Sequence, residues 1–311
     1  MNRPAVGAAA LSRLVALPHT VFSMPFALGA AAIAGSRARA PFGRYVWIAV
    51  AVAACRVAAL SFNRWADRRF DAANPRTAAR ELPTGTVSPA AALALTAAAG
   101  ALFVAAAWRL GPLPLALSPI ALAVCMGYSL AKRLARRLRT GSLAAAAHVL
   151  PHALLGLALA GAPAGAWLAI TGSFGAAPLA LSIAVAAWVA GFDLIYACQD
   201  ERFDRAIGLG SIPARWGAGA ALAVSAALHL LTAAGLIVFG ALLALGVVYY
   251  AGVVAITATL VYEHSIVSPR DLTRVNKAFF DLNGWVSLLF GVCAVVEALG
   301  LSPALPWGGR G

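Results

Sequence analysis

Residues 178–204, PLALSIAVAAWVAGFDLIYACQDERFD, join an apolar run to a cluster of acids. The apolar part is long enough to cross a bilayer, because a transmembrane helix needs about 20 predominantly apolar residues. It consists of continuous alanine, leucine and valine rather than alternating apolar and polar residues, so its backbone groups must be satisfied within a helix. The stretch therefore predicts a transmembrane helix that ends in carboxylates.

The rest of the chain has the composition of an integral membrane protein. Of its 311 residues, 62% are hydrophobic and 11% are charged, whereas soluble domains carry about 25% charged residues. We predict an all-α polytopic membrane protein that forms a single domain over residues 1–311, with about nine transmembrane helices. The expected spans are 14–34, 43–63, 88–108, 112–131, 142–160, 178–197, 218–239, 241–262 and 279–299.

The positive charge of the chain is unevenly distributed. A net charge of +13 would suggest a nucleic-acid partner for a soluble protein, but in a membrane protein the distribution of charge among the loops indicates orientation, and we expect no nucleic acid. Basic residues concentrate in the loops after the second, fourth, sixth and eighth spans. The opposite side holds only Arg37, Arg39, Arg44, Arg109 and Arg310. The positive-inside rule therefore places the N-terminus and the even-numbered loops in the cytoplasm.

Acidic residues are rare, and most of them fall in two short segments. Two sets of polar residues repeat there at four-residue intervals: Asn63, Asp67 and Asp71 in the first segment, and Tyr196, Asp200 and Asp204 in the second. Such spacing puts each set on one face of an α-helix. Asp193 precedes Asp200 by one heptad and lies close to the same face. Acids at a membrane are retained mainly where they bind an ion, line a wet cavity or pair with a cation.

Oxygen ligands on two helix ends are typical of a magnesium site. Mg²⁺ prefers carboxylates, waters and substrate phosphate oxygens to a closed protein cage. A diphosphate between the two sets would complete the site, with loop arginines and lysines neutralising its remaining charge. The simplest alternative is a belt of salt bridges between neighbouring residues, in which Asp67 and Asp71 pair with Arg64, Arg68 or Arg69, and Asp200 and Asp204 pair with Arg202 or Arg205.

Two other classes of membrane protein also place acids in or beside helices. An ion-coupled transporter is the main non-enzyme alternative, although coupling acids usually lie near the membrane midplane. Phosphatidyl-alcohol transferases use aspartate-rich metal sites, but with a denser DG-containing motif that this chain lacks.

These motifs resemble the UbiA superfamily of intramembrane prenyltransferases over essentially the whole chain. Asn63, Asp67 and Asp71 meet its NxxxDxxxD motif, and Asp193, Tyr196, Asp200 and Asp204 meet DxxYxxxDxxxD. LPHTVFSMPFAL, NPRTAARELPTG, YSLAKR and GAPAGAWLAITG are similar to segments of aromatic-acceptor members. EHSIVSPRDLTRVNKAFFDLNG resembles a bacterial subgroup, 4-hydroxybenzoate polyprenyltransferase-like and associated with the futalosine route to menaquinone.

The resemblance implies a fold and a reaction. The fold would be nine helices around a central cavity in the bacterial inner membrane, with cytoplasmic loops over the cavity and a lateral opening to lipid. The reaction would transfer a polyprenyl group from polyprenyl diphosphate to an aromatic carboxylic acid in ubiquinone or menaquinone biosynthesis. The acceptor would be 4-hydroxybenzoate or 1,4-dihydroxy-6-naphthoate.

Within that reaction, the expected metal ligands are Asn63, Asp67 and Asp71 for one Mg²⁺ ion and Asp200 and Asp204 for a second. Lys132, Arg133, Arg76 and Arg80 are expected to bind the diphosphate, although the first two would also serve as cytoplasmic anchors. Tyr128 and Tyr196 could stabilise an allylic cation with their aromatic faces, and an interfacial aromatic belt is the alternative for Tyr128.

Roles at the acceptor are less constrained by the motifs. Asp193 could orient the phenol, accept its proton or pair with buried Arg56. Candidates to bind the acceptor carboxylate are Arg56, His19 and Arg44. His148 and His152 are spaced i, i+4 on one span but lack an evident third metal ligand, so they are interpreted as polar cavity or packing residues.

Overall fold

The computed structural model describes Leu14, residues 22–138 and residues 141–305, and this part of the chain is built from helices. Within it, eight helices are long and apolar enough to cross a membrane. The helices are α1 Met24–Ala38, α2 Phe42–Ala73, α3 Pro89–Leu110, α4 Pro112–Arg137, α5 Gly141–Thr171, α6 Ala176–Ala197, α7 Glu201–Ile207, α8 Ile212–Leu242, α9 Val247–Ser265 and α10 Asn283–Ala298. The first expected span corresponds to α1 and falls partly outside the described residues. The predicted all-α polytopic architecture is confirmed.

Several helix boundaries differ from the expected spans. The second helix continues from residue 63 to Ala73 without interruption and so carries the first acidic segment. The fifth runs to Thr171 instead of ending at 160, and Pro163 lies inside it. Proline is tolerated within transmembrane helices because neighbouring groups satisfy the freed carbonyl. Helix α9, which corresponds to the eighth expected span, begins at Val247 rather than at residue 241. It follows a turn at Ala244, whose φ is 48°.

Serine side chains cap two of the helices that start on the side where α2, α4 and α6 end. Ser88 Oγ accepts a hydrogen bond from the Ala91 amide at 3.1 Å, and Ser211 Oγ accepts one from the Ala214 amide at 3.2 Å. Such caps satisfy donors that have no partner within the helix. Gly217 interrupts α8 with a φ of 85°, a value that favours glycine. The expected start of this span at 218 coincides with that break.

The sixth helix, which carries the second acidic segment, lies at the centre of the bundle and is the most buried span. Its Trp188 packs against Phe26 of α1 at a centroid distance of 5.0 Å, and Phe26 stacks on Phe290 of α10 at 4.4 Å. Large hydrophobic side chains such as Leu230 and Val254 are exposed on the outer faces of other helices. The acidic end of α6 is therefore enclosed by protein, while the perimeter presents an apolar surface suited to lipid.

Close packing between α5 and α6 depends on a glycine. A Cβ atom at Gly156 would lie 2.5 Å from the backbone carbonyl oxygen of Ala186. Backbone cannot move aside as a flexible side chain can, so the two helices approach closely only because residue 156 has no side chain. Small residues at helix interfaces serve this purpose in membranes.

We expect Gly156→Ala to lower the apparent melting temperature of the detergent-solubilised protein, because overpacking typically costs about 1–3 kcal/mol. Gly161→Ala is the matched control on the same helix, since its added Cβ would meet nothing within 4 Å. Alanine at 161 should preserve or raise the melting temperature through its better helix propensity. Equal melting temperatures for the two variants would contradict the proposed close contact.

Candidate active site

A polar cavity of about 120 Å³ lies where α2, α4 and α6 end. It collects most of the residues that the sequence analysis singled out, although they come from widely separated parts of the chain. Those that line it are Asn63, Asp67, Asp71, Arg76, Arg80, Tyr128, Lys132, Asp193, Tyr196, Asp200 and Asp204. The two acidic segments therefore face each other across one site.

The first acidic set lies on the uninterrupted last turns of α2, as its spacing predicts. The Asn63 amide donates to Asp67 Oδ2 at 2.9 Å and to Ser129 Oγ of α4 at 3.2 Å. Asp71, two turns further along, is buried, and the only hydrogen bond to its carboxylate from a described residue is to Oδ1. The set is aligned along the cavity wall and is joined to α4 through a polar contact.

The second acidic set does not lie on one continuous α-helix, so this part of the expectation is corrected. Helix α6 ends at Ala197, and a 3₁₀ turn at Cys198–Asp200 precedes the short α7. The tighter turn changes the direction of successive side chains. Asp200 and Asp204 nevertheless both line the cavity, and Ser211 Oγ donates to Asp204 Oδ2 at 3.2 Å.

Each of the four aspartates of the two sets is paired with a basic side chain from another segment. The simpler alternative, a belt of salt bridges between neighbouring residues, is not found among the described residues. Arg64 and Arg68 bind backbone carbonyls instead, and Arg205 pairs with Glu201. The observed pairs are Arg133 with Asp67 at 3.2 Å, Arg80 with Asp71 at 2.8 Å, Lys132 with Asp204 at 4.0 Å, and Arg76 with Asp200. The pairs connect α4 and the loop after α2 to the acidic helix ends.

The loop after α2, residues 74–88, covers the cavity and is called the capping loop below. Arg76 Nε donates to Asp200 Oδ1 at 2.9 Å, its Nη1 donates to the Tyr196 hydroxyl at 2.7 Å, and its guanidinium lies 5.0 Å from the centre of the Tyr196 ring. Burial opposes the charge of Arg76, but the hydrogen bonds and charge interactions with Asp200 and Tyr196 together outweigh it and hold the arginine pKa above its ordinary value. Asn74 Nδ2 also donates to Asp200 Oδ1, at 3.0 Å. Asp200 is thus one anchor of the loop, and Asp71, which pairs with Arg80, is another.

The oxygen donors of the cavity fit a magnesium ion better than a transition metal. Oδ2 of Asp71 is buried without a hydrogen-bond partner among the described residues, as expected for an atom whose partner is a cation. In the part of the chain that the structure describes, no three histidine, cysteine, aspartate or glutamate side chains come together as a closed metal cage. Mg²⁺ binds through one or two carboxylates and completes its shell with water and phosphate oxygens.

Asp193 lies deeper in the cavity and has a partner that the sequence analysis did not assign. His152 Nδ1 lies 2.6 Å from Asp193 Oδ2, and both side chains are buried. The suggested pairing of Asp193 with Arg56 is therefore wrong. Arg56 is half-buried on α2, and its buried Nε has no hydrogen-bond partner among the described residues.

The three residues expected to bind the acceptor carboxylate lie in different places. Arg56 stays close to the site, about two turns from Asn63 on the same helix. Arg44 lies at the other end of α2, about 28 Å from Asn63 at 1.5 Å per residue, and donates to the carbonyl of Ala169. Its assignment to the acceptor site is corrected, because a helix of this length carries its two ends to opposite sides of the membrane. His19 lies outside the described residues.

Several residues at the site were not predicted. Asn74 and Ser129 bind motif residues, and Phe203 lines the cavity. Phe279, in a π-helix at Lys277–Leu282, packs against the Tyr196 ring at a centroid distance of 4.2 Å. Asn74 and Phe279 lie in segments that resemble those of UbiA-family proteins. Their local spacing gives no indication of contact with the acidic sets.

Comparison with known proteins identifies a family and several relatives. Residues 23–289 match the UbiA prenyltransferase family. A 4-hydroxybenzoate octaprenyltransferase of Pectobacterium carotovorum is 30% identical over 179 residues, which are 58% of this chain and 58% of the relative. The match thus spans little more than half the length of that relative. A protein of the same name from Nitrosococcus oceani is 30% identical over 264 residues, which are 85% of this chain and 87% of the relative.

Solved structures share the same fold. A UbiA homologue from Aeropyrum pernix K1, determined in its apo form, has a TM-score of 0.77 and 35% identity and covers 90% of this chain and 98% of its own. A UbiA homologue from Archaeoglobus fulgidus bound to DMAPP and Mg²⁺ has a TM-score of 0.64, covering 92% of this chain and 98% of its own; at 21% identity this likeness is one of fold. Together with the family match, the two acidic motifs and the membrane-spanning helices show that this chain is an integral membrane protein of the UbiA prenyltransferase family.

Proposed function

We propose that this protein transfers a polyprenyl group from polyprenyl diphosphate to an aromatic carboxylic acid in quinone biosynthesis. The observation that carries the proposal is the convergence of both acidic sets with Arg76, Arg80 and Lys132 on one cavity at the helix ends. Arg133 pairs with Asp67 of the cavity lining. The names of the relatives favour 4-hydroxybenzoate as the acceptor. The C-terminal segment EHSIVSPRDLTRVNKAFFDLNG favours 1,4-dihydroxy-6-naphthoate and menaquinone biosynthesis.

The proposed cofactor is Mg²⁺, present as two ions. Asn63, Asp67 and Asp71 would hold one ion, and Asp200 and Asp204 the other. The metal supplies Lewis-acid stabilisation of the diphosphate leaving group when it is bound. The Archaeoglobus fulgidus homologue, bound to DMAPP and Mg²⁺, supports this assignment by analogy.

The basic residues bind the diphosphate and stabilise its growing negative charge. Lys132 and Arg133 of α4 approach from one side, while Arg76 and Arg80 of the capping loop approach from another. Lys132, Arg76 and Arg80 line the cavity. The carboxylate partners of all four basic side chains hold them at the site before substrate arrives. Preorganised cations stabilise a leaving group without the reorganisation that solvent would require.

The aromatic residues of the cavity are placed to assist formation of the carbon–carbon bond. The bond between C1 of the prenyl chain and the diphosphate oxygen breaks, and its electron pair leaves with diphosphate. Tyr128 and Tyr196 place aromatic rings beside the resulting allylic cation. A ring carbon next to the acceptor hydroxyl bonds to C1, and loss of the ring proton restores aromaticity. Asp193 lines the cavity and is not among the proposed metal ligands, so it is the carboxylate left to accept that proton.

The acceptor and the orientation complete the proposal. Arg56, half-buried about two turns from Asn63 on α2 and with an Nε that has no hydrogen-bond partner among the described residues, supplies a positive charge for the acceptor carboxylate. The excess of basic residues in the loops on this side supports a cytoplasm-facing site in the bacterial inner membrane. An ion-coupled transporter gains no support, because the acids are paired with cations at helix ends rather than spaced along a path through the midplane.

Activity tests the proposal directly. Purified protein with Mg²⁺, geranyl diphosphate and either aromatic acid should release diphosphate and form a prenylated product, and chelation of the metal should stop both. We expect Asp67→Ala and Asp200→Ala to reduce turnover about 100-fold or more, as for loss of other transition-state charge stabilisers. Asp271→Ala is the control, since Asp271 is exposed and, within the described part of the chain, its carboxylate bonds to its loop neighbour Thr273.

Two results would contradict the proposed reaction. One is the absence of product with both 4-hydroxybenzoate and 1,4-dihydroxy-6-naphthoate from folded, metal-supplied protein. The other is full turnover by Asp67→Ala and Asp200→Ala. A preference for one acceptor would assign the quinone pathway.

Arg76 should control the mobility of the capping loop. In Arg76→Gln, we expect amide hydrogen exchange of residues 74–88 to become several-fold faster, because the charged contacts to Asp200 that hold the loop are lost. Arg69→Gln is the control, an exposed arginine at the same end of α2. Unchanged exchange in Arg76→Gln, measured by mass spectrometry in detergent, would show that other contacts hold the loop closed.

A further inference from the structure

A buried histidine on α5 orients the deepest carboxylate of the cavity. His152 Nδ1 lies 2.6 Å from Asp193 Oδ2, and His152 Nε2 accepts a hydrogen bond from the backbone amide of Ile212 at 3.2 Å. His152 is 2% exposed, and Asp193 is 6% exposed. Both ring nitrogens are therefore used, one toward the carboxylate and one toward the start of α8.

The amide of Ile212 determines which nitrogen carries the proton. A backbone N–H can only donate, so Nε2 must present its lone pair. A second proton on Nε2 would place two donors against each other in a buried site. The imidazole is therefore neutral, with its proton on Nδ1, and it donates that proton in a charge-assisted hydrogen bond to the Asp193 carboxylate.

This bond uses only one oxygen of Asp193. None of the described residues donates a hydrogen bond to Oδ1, and this atom is not among the buried polar atoms without a partner. Asp193 itself lines the cavity. Oδ1 is therefore the oxygen that faces the cavity, while Oδ2 is held by the histidine.

We propose that His152 is a positioning residue that holds Asp193 so that Oδ1 accepts the proton lost from the acceptor ring after prenylation. This inference rests on the proposed prenyl transfer. The ring carbon bonds to C1 of the prenyl group, the electron pair of its C–H bond returns to the ring, and the proton passes to Oδ1. A histidine that fixes the orientation of a carboxylate base inverts the more common arrangement, in which a carboxylate fixes a histidine.

The neighbouring histidine on the same helix face provides a matched control. His148 Nδ1 lies 3.2 Å from the backbone nitrogen and 3.1 Å from the carbonyl oxygen of Ser211. It therefore holds the same start of α8 but does not contact Asp193. His148→Ala removes a contact to α8, whereas His152→Ala removes that kind of contact and the bond to the carboxylate together.

A pair of substitutions at 152 separates positioning of the carboxylate from support of α8. Asparagine can place its amide N–H where Nδ1–H lies but cannot reach Ile212, whereas alanine loses both contacts. We expect His152→Ala to lower kcat about 10- to 100-fold, in line with loss of a charge-assisted hydrogen bond, with KM for geranyl diphosphate unchanged. His152→Asn should recover most of the loss, and His148→Ala should stay close to the unchanged protein.

An isotope effect gives a readout that a purely structural role would not alter. With acceptor deuterated at the ring positions next to the hydroxyl, the unchanged protein and His148→Ala should show no primary isotope effect on kcat. His152→Ala should show one, because removal of the ring proton becomes slow. Equal loss of kcat in His152→Asn and His152→Ala, without an isotope effect, would overturn the proposal and assign His152 to support of α8.

The tautomer can be measured without turnover. In protein labelled with ¹⁵N-histidine, the His152 resonances, assigned by their absence in His152→Asn, should show a protonated Nδ1 and a bare Nε2, and Asp193→Asn should shift them. A protonated Nε2 would overturn the proposal. Absence of product from the unchanged protein would instead remove the proposed function on which this inference rests, whereas full kcat of His152→Ala in an active enzyme would overturn this inference alone.

Discussion

Charged groups at the ends of membrane-spanning helices need partners, and the rest of this site depends on that constraint. Carboxylates on α2, on the 3₁₀ turn after α6 and on α7 are largely removed from water, and an isolated charge in such a place is expensive. Their partners come from α4 and the capping loop, so each ion pair also joins two segments of the chain. Neutralising the acids and closing the cavity are thus achieved by the same contacts.

The pairing also prepares the cavity for an anionic substrate. The four basic side chains are held in place by carboxylates that can themselves bind divalent cations, and the charges of two such ions and a diphosphate nearly cancel. When the ligands bind, ion pairs between side chains are therefore replaced by ion pairs with the metal ions and the diphosphate. No excess of buried charge remains. Arg76 shows the principle most clearly, because its planar guanidinium bridges Asp200 and Tyr196 at the mouth of the site.

Departures from regular helix shape much of the site. The 3₁₀ turn at Cys198–Asp200 redirects the second acidic set, and the π-helix at Lys277–Leu282 brings Phe279 onto Tyr196. Asn283, directly after the π-helix, accepts from Trp188 at 2.6 Å and donates to Glu263 at 2.8 Å. Such short irregular segments often occur at functional sites, where they direct side chains that a straight helix would turn away.

The sequence by itself determined the membrane-spanning helices and the identity of the acidic sets. Apolar runs of sufficient length can only be helices in a bilayer, and Asn63, Asp67 and Asp71 share a face because they lie within one helix. Local spacing could not determine the end of α5 at Thr171, since whether Pro163 interrupts a helix depends on neighbours that satisfy its backbone. It also could not exclude Arg44, whose position relative to the cavity depends on the length and direction of α2. Only the tertiary structure joined Asp193 to His152, and Asp67, Asp200 and Asp204 to their cations, because these partners are distant in sequence and meet only when the helices pack.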